Sequence, residues 1–140
     1  MKRIVPFLFL VSLCCAASGQ TASDSEREVH RLMTCACLDG HDSQTFGRMG
    51  DATAVAITKI ISGRAPESSE VDAILLILHI SFADPKFVDI VSDREPRTAM
   101  FVLQYLSSTK RDPSLQARID ETKRYVQQQF AKSQQTDQRK

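Results

Sequence analysis

The chain has 140 residues, of which 42% are apolar and 6% aromatic; it contains no Trp, and its formal net charge is +1. That length fits one domain, and that apolar content excludes global disorder and predicts an aliphatic core. Near-neutrality excludes the basic footprint that nucleic acid or an anionic membrane surface requires, and the lack of any Asn excludes an N-glycosylation acceptor.

The first segment, "MKRIVPFLFLVSLCCAASGQ", has a basic start at Lys2 and Arg3, an apolar run from Ile4 to about Ala17, and then small residues. This is the layout of a cleavable secretory signal peptide over residues 1–19. The run is too short to span a bilayer comfortably, which takes about 20 apolar residues. Ala16 and Ala17 place cleavage after Ser18 or Gly19. Cys14 and Cys15 invite comparison with a lipidation site, but the small residue such a site needs before its Cys is missing. The expected product is exported, with no membrane association beyond the leader. Removing the leader takes away two of the four cysteines. Only Cys35 and Cys37 remain, so the fold must rest on packing rather than on a disulfide framework.

Residues 20–24 read as a flexible polar lead-in to a helical domain over 25–131. A first helix is expected from Asp24 or Ser25 to about Leu38, with Val29, Leu32, Met33 and Ala36 as its apolar stripe. Gly40 is its natural stop. The next helix carries "ATAVAITKIIS", with Asp51 able to cap its start and Gly63 its end. Ser69 then heads "SEVDAILLILHISFA", with Asp72 as the reciprocal residue of a capping box. Apolar residues surround this helix from Val71 to Phe82, so it should be central and buried. Asp84-Pro85 ends it, and "KFVDIVSD" reads as a turn or helical connector.

Pro96 suits the first position of the helix "RTAMFVLQYLSS", and Asp112-Pro113 repeats that logic for the last helix. The last helix presents Leu115, Ile119, Thr122, Val126 and Phe130 at three- and four-residue steps. Residues 132–140 read as a polar, disordered tail. The fold class is therefore all-α: about five helices stacked as antiparallel pairs, either a short α-solenoid or an irregular helical bundle.

The second and fourth expected helices begin about 44 residues apart, as do the third and fifth. That spacing matches the helix-pair units of HEAT and armadillo repeats. The phrase "GDATAVAITKII", a Gly-Asp turn followed by an Ala-rich helix with Ile at packing positions, resembles the start of such a repeat. The resemblance implies a HEAT-like stack over about residues 27–130, in which each pair covers its neighbour's apolar face. The polar run "TKRYVQQQ" suits the last helix to capping that stack.

Chemistry-bearing residues concentrate in "LMTCACLDGHD". At about 100° per residue, His30, Cys37 and His41 fall on one line. His30 and Cys37 would be about 10 Å apart along a helix, too far to share one ion. Cys37 and His41 are the candidate metal ligands, with Asp39, Asp42 or His79 needed to complete a set. Cys35 and Cys37 point to opposite sides of a helix, so a disulfide between them requires the helix to end first. The bland interpretation makes Cys37 a half-buried helix residue and His41 part of a loop. His79 lies above Asp72 on the central helix and reads as a packing residue. No nucleophile elbow, phosphate loop, dinucleotide fingerprint or metalloprotease motif is present.

"VSDREPRT" alternates charge and reads either as a solvated turn or as a contact loop. In the second case Arg94 and Arg97 are its anchors, since Arg is enriched at interface hot spots. These observations lead to an exported, small, non-enzymatic interaction module with another protein as partner and no cofactor. A thiol- or metal-dependent activity centred on Cys35, Cys37 and His41 is the alternative, and a periplasmic inhibitor or immunity protein is a third.

Overall fold

The computed structural model describes residues 16–35, 38–39, 41–62, 64–84 and 94–139. Among them are six helices: α1 (Ala16–Cys35), α2 (Asp42–Met49), α3 (Asp51–Ile60), α4 (Ser68–Ser81), α5 (Arg97–Ser108) and α6 (Pro113–Asp137). The protein is all-helical over these residues. Gly40, Gly63, Pro85 and the whole connector "KFVDIVSD" lie outside them, as do Ala36 and Cys37.

Several element boundaries differ from those expected. The chain is already helical at Ala16, so residues 20–24 continue a helix rather than form a lead-in, and Leu38 is no longer helical. α2 was not anticipated, because "DSQTFGRM" offers only two apolar residues. It forms because Phe46 is driven fully into the core. At the other end, α6 continues through Gln-rich sequence to Asp137, past the expected break at residue 132. Unbranched side chains of that kind favour helix.

α4 occupies the centre. It packs against α1, α2, α3 and α6, and Val71, Ile74, Leu75, Ile77, Leu78 and Ile80 are all buried. The helices divide into two runs of neighbours, α1–α3–α5 and α2–α4–α6. Specific contacts fix the directions of four of them. Asp51 at the start of α3 bonds to the start of α5, and the Tyr105 hydroxyl late in α5 donates to the Arg64 carbonyl beyond the end of α3. α3 and α5 therefore run the same way. Asp72 of α4 pairs with Arg118 of α6, and further along both helices His79 meets Tyr125. α4 and α6 therefore also run the same way.

The helix ends show how each segment is punctuated. Gly50, with φ of 52°, joins α2 to α3 in a conformation that a Cβ disfavours. Asp51 was expected to cap α3, but Gly50 takes that position. The Asp51 carboxylate instead accepts from the backbone N–H groups of Thr98 at 2.9 Å and Ala99 at 2.8 Å. It thus caps α5, whose own cap position is filled by Pro96, which lacks a side-chain acceptor. Asp51→Ala should lower stability by about 1–2 kcal/mol, with Asp51→Asn, which keeps one acceptor, losing less. Urea unfolding of the two variants beside the parent checks this.

α4 starts one residue before Ser69, with Glu67 at its cap. The reciprocal carboxylate is Glu70, not Asp72: it accepts from the Glu67 N–H at 2.9 Å and from the Arg64 guanidinium at 2.7 and 2.6 Å. The Arg64 bonds, followed by the Glu67 N–H, hold Glu70 down to about 2. A depressed carboxylate stabilises the fold fully above its unfolded value, and that contribution fades as pH falls through the folded one. The parent should therefore lose more of its urea midpoint between pH 5 and pH 2 than Glu70→Gln does.

α6 begins as its sequence indicates, with Pro113 in the first position and the Asp112 carboxylate accepting from Ser114 N–H at 3.0 Å. Leu115, Ile119, Thr122 and Val126 are buried as expected. Gln129 is buried too, whereas Phe130 is only half-buried. The remaining faces of α6, including Asp120, Glu121, Arg124, Gln127 and Gln128, are exposed.

Candidate functional site

The Cys-His segment resolves into a chain reversal between α1 and α2. Cys35 is exposed at the end of α1, and His41 is exposed at the cap of α2. Cys37, the other half of the expected metal pair, lies outside the described residues. The carboxylates of the segment are committed to the turn. Asp39 Oδ1 accepts from His41 N–H at 2.8 Å and from Asp42 N–H at 3.2 Å, while Asp42 Oδ2 accepts from Asp39 N–H at 2.7 Å. Asp42 is 3% exposed, and its Oδ1 pairs with the Arg31 guanidinium, which also reaches Glu28 at 3.1 Å. The Glu28 bond is the main reason the Arg31 pKa is raised, with Asp42 adding to it. Among the described residues, no group of three His, Cys, Asp or Glu side chains is placed to hold a metal ion.

His79 is not the buried packing residue that its helix suggests. It lies exposed at the rim of α4, its ring stacked on Tyr125 of α6 with centroids 3.7 Å apart and planes at 13°. Desolvation beneath the stack lowers its pKa, while Glu121 acts in the opposite sense. Nearby Ser81 is fully buried, with its hydroxyl donated to the Ile77 carbonyl at 2.8 Å.

The two arginines of "VSDREPRT" part company. Arg94 is 9% exposed and turned inward, donating to the Ala83 carbonyl. Burial pulls its pKa down, against the pull of Tyr125 and Asp84. A partner's anchor needs an accessible head group, so Arg94 has a structural place instead. Arg97 is exposed beside the Glu95 carboxylate.

Two apolar surfaces, neither legible beforehand, remain. One is an outward ridge on α3 and α5. Ala99, Val102, Leu103 and Leu106 face the core, which leaves Arg97, Phe101, Gln104, Tyr105 and Ser108 exposed on the opposite side of α5. Phe101 is 66% exposed, Tyr105 37% and Val55 of α3 43%. Val55 and Phe101 both fall between the Asp51 tether at one end of the α3–α5 pair and the Tyr105–Arg64 bond at the other. At the ridge's edge, Lys123 of α6 donates to Gln104 Oε1 at 2.8 Å. The signal for this ridge lies in α5's own wheel: Phe101 stands about 160° from Ala99, off the apolar stripe.

The other surface is an open groove of ≈ 440 Å³ between the end of α1, the first half of α4 and the start of α6. Leu32, Met33, Ala73, Leu76 and Ile77 line it. Arg118 Nη1 sits 2.7 Å from Asp72 Oδ1 at its rim, but without hydrogen-bond alignment, so the contact is an ion pair only. Leu76 stands on the same line of α4 as Asp72 and His79, the one side of this helix that carries polar residues.

Comparison with protein-family models, with curated proteins and with solved structures returned no match to this chain.

Proposed function

We propose that this chain is an exported, non-enzymatic protein-binding module, a short HEAT-like stack of antiparallel helix pairs whose outer α5 ridge contacts the partner. The single observation that carries the binding role is Phe101. A large aromatic residue that is two-thirds solvent-exposed, with Tyr105 one turn on and Arg97 one turn back, groups three residue types enriched at protein interfaces, of which Tyr and Arg are also hot-spot types. The repeat architecture draws support from the shared directions of α3 with α5 and of α4 with α6, joined at Asp51–Thr98, Asp51–Ala99, Asp72–Arg118 and His79–Tyr125 by contacts 46 to 48 residues apart. The polar outer faces of α6 suit the end of a stack, where an apolar face would otherwise stand open. Export rests on the basic start, apolar run and small residues of the first 19 positions.

The test is affinity capture from the exported fraction with the parent, with Phe101→Glu and with Arg124→Glu on the polar α6 face. A hot-spot aromatic contributes about 2 kcal/mol or more, equivalent to about 30-fold in affinity. A partner held by the parent and by Arg124→Glu, and lost about 30-fold by Phe101→Glu with its helical circular dichroism unchanged, is the expected result. No captured partner, or equal capture by all three, overturns the proposal. Amino-terminal sequencing of the exported protein tests cleavage near Ser18 or Gly19.

A further inference from the structure

We draw no further inference here: the strongest candidate, the open apolar groove between α1, α4 and α6 lined by Leu32, Met33, Leu76 and Ile77 under the Asp72–Arg118 pair, is an unpartnered face, and nothing in the structure shows what covers it.

Discussion

Leu78→Ala should destabilise the protein by about 2–5 kcal/mol, the range for deleting a buried Leu side chain in a core that relaxes only partly around the space left behind. Leu78 is fully buried on α4, the helix against which α1, α2, α3 and α6 all pack. A cavity there removes contacts from several elements at once. Total stability for a domain of this size is about 5–15 kcal/mol, so the loss is a large share of it. Leu76→Ala on the same helix is the control. Leu76 is 39% exposed, so its truncation should cost less than about 1 kcal/mol. Urea unfolding followed by far-ultraviolet circular dichroism is the measurement, because the chain has no Trp to report by fluorescence. Equal losses from the two variants would mean that α4 is rotated away from the orientation described.

Asp42→Ala is the second large effect expected, at about 1–3 kcal/mol. Its carboxylate is nearly inaccessible yet serves two donors, the Asp39 N–H and the Arg31 guanidinium. It also stands in the first turn of α2, where a negative charge favours the helix. Truncation leaves a part-buried backbone donor without its acceptor. The cost stays below that of breaking a fully buried ion pair, because Arg31 is 38% exposed and keeps Glu28. Asp42→Asn separates the contributions: it retains an acceptor for Asp39 N–H and gives up the charge. High salt should weaken the parent's advantage over Asp42→Ala only slightly, since a shielded carboxylate is poorly screened. A change below about 0.5 kcal/mol for Asp42→Ala would show that the reversal between α1 and α2 does not depend on this residue.

What could be read from the sequence was local. α6 was legible because Leu115, Ile119, Thr122 and Val126 recur at helical steps after an Asp-Pro start. The central place of α4 was legible because apolar residues cover most of its circumference from Val71 to Phe82. What could not be read was set by residues far away along the chain. α2 has too few apolar residues to announce itself, and it exists because Phe46 finds a core built by other helices. Asp51 looked like the cap of its own helix, whereas its acceptor atoms serve Thr98 and Ala99, 47 and 48 residues further on. Arg94 and Arg97 are indistinguishable in an alternating charged string, and only tertiary packing sends one inward and leaves the other beside Glu95. The α5 ridge was missed for a related reason. Composition counts Phe101 among apolar residues that should be buried, and only its angle on the helix places it outside.

The carboxylate of Asp51 has a consequence for how the molecule comes apart. The opening turn of α5 is completed by an oxygen pair that belongs to α3, so a fragment of the carboxy-terminal helices would lack that cap. Severing the chain between Ser81 and Arg97 would leave one piece with a carboxylate that has nothing to bind and the other with a helix that has bare amides at its head. Loss of structure at the start of α3 would therefore also take away the acceptors of the first amides of α5.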